Sequence, residues 1–315
     1  MKTEEKTEYV CSFLQMRIDE EFPFPFQVTY EDEYFLFRLK NSRKECSAKL
    51  RRTDEVIAGI VHGTKEQKEE EVRRIFEILS AALAARENTA FADCSDYEKV
   101  RNELILRPLN YQRVKKDIQD VPYIRVGDIA LVLYAVMAHS GNDYFTAKIH
   151  RNQMQNWKGS EEEILEEALI NTSFLYPPRL YSVEQLLAWE VKQKEDGRFM
   201  AQDPFSINRG MRSHVLTNTL EINGAIAIFY PGVARKIAEG FGEDFYIAFT
   251  SIHEVQVHSA SMITPDIIKS SIREMNHSCN RADEVLTNAV YCYSAESRSF
   301  GQLIDGRFLE VRKDV

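Results

Sequence analysis

No apolar run in the chain reaches about 18 residues, so no segment has the length and composition of a transmembrane helix. The amino-terminal stretch MKTEEKTEYVCSF lacks the apolar core of a signal peptide. Both absences point to a cytoplasmic protein. Cysteine is scarce and odd in number: five residues, Cys11, Cys46, Cys94, Cys279 and Cys292, with no CxxC spacing. That argues against a disulfide scaffold and against a Cys-rich zinc site, and leaves reduced, mostly buried thiols. No P-loop is present, and glycines 224, 232, 240 and 242 are too dispersed for a dinucleotide fingerprint. There is no Gly-x-Ser-x-Gly elbow to expose a nucleophilic serine. Basic residues are outnumbered, 40 Lys and Arg against 49 Asp and Glu, for a net charge of -9. A general nucleic-acid binder needs a basic face, so that class is disfavoured. The local exceptions are Arg38–Arg52 and Arg101–Lys116, which solvated strand and helix faces explain at least as well.

What the chain does have is core material. It is 44% apolar, with 18 Phe and 14 Tyr in 315 residues, enough for two domains at about 150 residues each. Residues 4–20 read as an amphipathic helix carrying Val10, Phe13, Leu14 and Ile18 on one side. Phe22-Pro23-Phe24-Pro25-Phe26 stops it, because each proline removes a donor and restricts the residue before it. Strands are expected near 26–30, 33–40 and 46–51. A helix should start at Thr53-Asp54, pause at Gly63-Thr64 and run to about Arg86, with Val72, Ile75, Phe76, Leu79, Ala82 and Leu83 as its buried stripe. The polar stretch Asn88–Lys99 then separates a small domain, 1–90, from a larger one, 100–315.

In the second half, Ile129–Val136 is a continuous apolar run that suits a buried strand, followed by a turn at Ser140–Asp143 and a hairpin partner over Tyr144–His150. Ser160-Glu-Glu-Glu163 is a capping box that opens a helix to about Asn171. Another helix is expected over Ser182–Lys194, then a polar loop to Arg212. The strongest patterning lies in Asn223–His258. There an Asn-Gly turn joins strands Val215–Thr219 and Ala225–Phe229. A helix from Pro231 to Phe241-Gly242 follows, and then a second hairpin, Phe245–Thr250 with Val255–His258. Its polar tip is Ser251-Ile252-His253-Glu254. Thr264-Pro265-Asp266 begins a further helix, Asp283–Asn288 is a short helical turn and Ala289–Ser294 a strand. The resulting fold class is α+β: an N-terminal helix-plus-antiparallel-sheet unit, then a larger mixed-sheet domain with helices mainly on one face.

Leu109-Asn110-Tyr111, Val121-Pro122 and Asp128-Ile129-Ala130 resemble the central motif of the bacterial family catalogued as domain of unknown function 5688, found mainly in gut Firmicutes. The resemblance continues through Asn171-Thr172, Leu216-Thr217-Asn218, Asn223-Gly224-Ala225, Ser251–Glu254 and Asp283–Leu286, covering roughly residues 105–295. It departs at Tyr123-Ile124, where relatives carry His then Glu, and in the N-terminal 90 residues. Membership implies no activity, but it draws attention to Ser251–Glu254 as more than a solvated turn.

His253, Glu254 and His258 give the spacing H-E-x-x-x-H, not the H-E-x-x-H that sets two histidines one helical turn apart. On a strand Glu254 and His258 share a face that His253 opposes, so a metal site would have to recruit His277, Cys279 or Glu284, and no metal is expected. Ser251, His253 and Glu254 are the candidate nucleophile, base and orienting acid, although real triads are assembled from distant segments. The plainer reading is that Ser251 and His253 bond a tight turn and Glu254 pairs with a nearby arginine. Asn218 and Asp128, at strand ends, complete the ligand-binding candidates with His253 and Glu254. The leading expectation is a binding or regulatory module that holds a small molecule or protein in a cleft beside Ser251–Glu254. A hydrolase with His253 as general base, possibly metal-assisted, is the alternative, so enzyme status, cofactors and oligomeric state stay open.

Overall fold

The computed structural model describes residues 3–23, 25–31, 34–40, 47–50, 53–87, 96–140, 143–182, 213–278 and 281–314. The expected helix over Ser182–Lys194 and the loop to Arg212 lie outside these residues, apart from Ser182. The chain forms two compact units, Met1–Asp93 with Val136–Ala147, and Cys94–Ala135 with Lys148–Val315.

In the first unit, α1 (Thr3–Glu21) is followed by a three-stranded antiparallel sheet of β1 (Phe26–Glu31), β2 (Tyr34–Leu39) and β3 (Ser47–Leu50), then α2 (Thr53–His62) and α3 (Lys65–Glu87). The apolar stripes do what their spacing dictates. Val10, Leu14 and Ile18 of α1 are fully buried with Phe26 of β1, Phe35 and Phe37 of β2, and Ile75 and Leu79 of α3. The pause between α2 and α3 is a reciprocal cap: Thr64 N–H donates to Gln67 Oε1 at 2.8 Å and Gln67 N–H to Thr64 Oγ1 at 3.3 Å.

The second unit opens with α4 (Tyr97–Val100), β4 (Leu104–Asn110), α5 (Tyr111–Val114), β5 (Tyr123–Val126) and the start of β6 (Ile129–Ser140), whose last residues, from Val136, belong with the first unit. β6 is the expected buried strand and runs between β4 and β5, with β7 (Asp143–Lys148) also paired to it. α6 (Glu161–Leu175) carries the expected capping box, Ser160 N–H to Glu163 Oε2 at 2.7 Å and Glu163 N–H to Ser160 Oγ at 3.2 Å. Thr172 fixes this helix on β4 by accepting the Leu106 N–H at 2.9 Å.

A seven-stranded sheet makes up the remainder: β8 (Pro178–Ser182), β9 (Ser213–Asn218), β10 (Phe245–Phe249), β11 (Val255–Ser259), β12 (Val290–Ser294), β13 (Ser299–Ile304) and β14 (Arg307–Lys313), in spatial order β14-β13-β12-β10-β11-β9-β8. The class is α+β as expected. Every pairing whose register is described is antiparallel rather than mixed, because short turns, not crossover helices, join successive partners such as β10–β11 and β13–β14. On one face Phe245 and Phe249 pack with Phe229, Phe241, Tyr291, Tyr293 and Phe300, under α7 (Val233–Phe241). On the other, Ala248 and Val290 meet Ile268 and Ile272 of α8 (Pro265–Ser278).

One expectation fails here. Gly224–Phe229 is a 3-10 helix with all six residues buried, not a strand paired with Val215–Thr219. Asn223 does take the left-handed conformation, φ 53°, but Gly224 is not among the positive-φ residues, so the two-residue hairpin turn that requires both does not form. A fully buried apolar run has no polar face to reveal its period, which is why a strand and a buried helical turn read alike.

Candidate functional site

β10 and β11 pair from Phe245–Ser259 to Phe249–Val255, which leaves residues 250–254 as the tip. Phe245, Ile247 and Phe249 are fully buried and point one way, and the register fixes the tip above them. Within the tip Ser251 Oγ accepts the His253 N–H at 3.0 Å, a serine turn, and the Thr250 hydroxyl lies 3.1 Å from Glu254 O and 3.2 Å from Glu254 Oε1.

Three other segments close on the tip. From β9, the Thr217 hydroxyl donates to His253 O at 2.8 Å. From the loop after it, Asn223 N–H donates to His253 Nδ1 at 3.1 Å and Ala225 N–H to Ile252 O at 3.2 Å. From the segment before β12, Glu284 O accepts the Ile252 N–H at 2.9 Å, and Glu284 Oε1 lies 3.5 Å from His253 Nε2. Gly224 sits where these segments cross, and a Cβ there would be 2.2 Å from Thr217 Oγ1 and 2.5 Å from His253 O. Only glycine permits that approach.

His253 is therefore no exposed turn residue. Its side chain is 17% exposed, with both ring nitrogens facing protein groups. Because Nδ1 accepts a backbone N–H, the proton of the neutral ring belongs on Nε2, facing Glu284. The imidazole nitrogens face Asn223 and Glu284, and the Glu254 carboxylate accepts the Thr250 hydroxyl, where an arginine was expected. Burial raises the Glu254 carboxyl above the ordinary carboxylate range, against the lowering effect of its bond to Thr250, and the Glu221 charge adds to the rise.

Asn218 and Asp128 have equally defined partners. Asn218 closes its own loop, donating to Ile222 O at 2.9 Å and accepting the Leu220 N–H at 3.0 Å. Asp128 is not at the tip. Its carboxylate accepts the Thr287 hydroxyl at 2.6 Å and, in a very short bond, the Tyr291 hydroxyl. Burial, then the Asp128 charge, drives the Tyr291 phenol far above its usual range and keeps it a donor. Asn110 Nδ2 donates to Leu286 O at 2.9 Å. Residues 284–287 thus strap together the tip, β4 and the start of β6. Thr217, Thr250, Thr287 and Tyr291 carry this network; Thr217 was named only inside a family motif, and none of the four was a site candidate from sequence. A threonine or tyrosine in a strand, like Thr217 and Tyr291, or in a loop, like Thr250 and Thr287, has no spacing that marks it.

His258 is at the opposite end of β11, across from Tyr246 and Ser213, and burial followed by His214 pushes it down to about 4. His277 is exposed at the end of α8 and Cys279 lies outside the described residues. Among the described residues no group of three or more His, Cys, Asp or Glu side chains is placed to hold a metal ion. The Cys292 thiol, buried in β12, is pushed up to about 12 by burial and then by Asp244, so it is no nucleophile at neutral pH.

This is an α+β protein built around a braced antiparallel hairpin, in which no helix among the described residues is long and apolar enough to cross a membrane. The model of the family of unknown function DUF5688 matches residues 39–295, most of the chain, and the chain belongs to that family. The match begins well before the motifs at 105–295, inside the first unit. Neither a curated protein nor a solved structure gives a match.

Proposed function

We propose that the protein is a binding or regulatory module without catalysis, and that the cleft beside Ser251–Glu254 holds a small ligand or a partner segment. The observation that carries this reading is the engagement of His253. A general base needs a free lone pair facing the substrate, and here Nδ1 accepts the Asn223 N–H while Nε2 is the donor toward Glu284. Ser251 Oγ accepts the His253 backbone N–H, and the two imidazole nitrogens face Asn223 and Glu284, which disfavours the hydrolase alternative. Glu254 and the Nε2–H of His253 are then the groups that meet a ligand, with Asn218 and Asp128 as supports behind them. A rigid strand pair suits this better than a free loop. A cytoplasmic location and a bacterial, gut-Firmicutes source belong with the same reading.

The test is a thermal-shift screen of metabolites and metal ions on the wild type, Glu254→Gln and His253→Asn, alongside turnover of ester, amide and phosphate-ester substrates. A ligand that stabilises the wild type and loses its effect in Glu254→Gln supports the tip as the binding surface. Ligands that act equally on all three proteins remove it. Turnover abolished by Ser251→Ala would establish the hydrolase instead.

A further inference from the structure

We infer that a basic, tyrosine-lined recess on the second unit, separate from the hairpin tip, binds a small phosphorylated anion. Its volume is about 470 Å³, and Tyr111, Lys115, Lys116, Gln119, Tyr123 and Arg151 line it. That volume lies within the roughly 300–1,000 Å³ of small-molecule sites.

The recess is held rigidly by its own backbone. Lys115 N–H bonds Tyr111 O at 2.9 Å, Ile118 N–H bonds Val114 O at 3.1 Å and Val121 N–H bonds Ile118 O at 3.2 Å, with the Ile118 side chain buried beneath. Arg151 clamps one wall: its backbone N–H donates to Asp120 O at 2.7 Å and its guanidinium to Gln119 O at 2.9 Å. Glu161 holds that guanidinium with two bonds of 2.8 Å, so Arg151 is a neutralised strut. The rings of Tyr111 and Tyr123 lie 5.9 Å apart, and Arg125 sits 4.0 Å over Tyr111, anchored to Gly127 O at 2.9 Å.

The lysines of the recess make no ion pair among the described residues. Lys115 donates to Gln112 Oε1 at 3.0 Å and to no carboxylate, and Lys116 and Arg113 make no ion pair among the described residues. No carboxylate lines the recess, and the nearby Asp120 carboxylate is engaged by His150 Nδ1 at 2.7 Å. Several other cations are paired, among them Arg17 with Glu21 and Glu69, Arg101 with Glu167, and Arg312 with Glu166. In a chain of net charge -9, this is a local positive field against the general one. Lysine is a point-charge binder of phosphate, and tyrosines give hydroxyl donors and ring surface to the organic part of such a ligand. Burial, then a hydrogen bond with Tyr111, raises the Tyr123 phenol, so it remains a donor at neutral pH.

The experiment is isothermal titration of the full chain with pyrophosphate, adenosine monophosphate and adenosine. Pyrophosphate and the monophosphate are expected to bind with dissociation constants below about 1 mM and adenosine not to bind. K115Q/K116Q should weaken both anions by about tenfold or more, while K65Q/K68Q, which removes the same charge from α3, should leave them unchanged. Tyr123→Phe should weaken the monophosphate more than pyrophosphate. Failure of both anions to bind, equal weakening by the two double variants, or adenosine binding as well as its phosphate would each overturn the proposal.

Discussion

The hairpin tip and the Tyr111–Arg151 recess belong to the same unit and are built on opposite principles. At the tip polar side chains are engaged by one another: Ser251 by His253, His253 by Asn223 and Glu284, Thr217 by the His253 carbonyl. At the recess the backbone is just as firmly bonded, yet Lys115, Lys116 and Arg113 make no ion pair among the described residues. A dense polar motif in sequence can therefore be largely framework, leaving only Glu254 and the His253 Nε2–H to a ligand, while the recess offers lysines that no ion pair engages among the described residues. The physical ground is that a buried polar group must find a partner, and where the fold supplies it there is little left to offer a substrate.

Several substitutions would sharpen or break this contrast. The largest effect should come from Ile247→Ala, which empties a fully buried position under the tip and is expected to destabilise by about 2–5 kcal/mol in chemical denaturation. Acid comes next. His258 is held near 4 in the folded state against about 6.5 unfolded, so its neutral form is favoured by folding. The stability linked to it is complete above about pH 6.5 and is lost as pH falls toward 4, on the order of 3 kcal/mol. Denaturation midpoints measured across that window should flatten in His258→Leu; an unchanged slope would assign the titration elsewhere.

Gly224→Ala forces a methyl group against Thr217 and the His253 carbonyl and should cost about 2–3 kcal/mol by the same measurement. His253→Ala leaves the buried Asn223 N–H without its acceptor, an expected loss of about 1–2 kcal/mol, and His253→Asn should recover part of it by offering an amide oxygen. If His253→Ala melted like the wild type, the imidazole would not be what holds the tip. At the far end of the scale, K115Q/K116Q should change stability by less than about 0.5 kcal/mol, since both lysines are exposed and neither makes an ion pair among the described residues. A large loss there would make the recess part of the framework and erase the contrast.

Much of the fold was legible because local rules suffice for it. Ser160 and Glu163 announce a helix start, Gly242 permits a left-handed cap at φ 74°, and alternation along Phe245–Phe249 and Val255–Val257 marks a hairpin. The β13–β14 hairpin is absent from the elements read from sequence, although its Asp305-Gly306 turn, with both residues at positive φ, carries the usual short signal. Phe308 and Leu309 there are exposed on an edge strand, so no core-facing pattern reinforced it. At the tip, sequence placed Ser251, His253 and Glu254 together and could not say which way each side chain turns.

The sequence by itself determined the α+β class, the capped helices, the existence of the Phe245–His258 hairpin and the family, because each follows from periodicity, turn chemistry or motif over a few dozen neighbouring residues. Only the tertiary structure decided that Gly224–Phe229 is a 3-10 turn, that Asn223 N–H occupies the lone pair of His253, and that Asp128 serves Thr287 and Tyr291 rather than the tip. Those contacts join residues 30 to 163 positions apart. The direction of a hydrogen bond between such distant groups is set by the packing that brings them together, not by any local pattern in either segment.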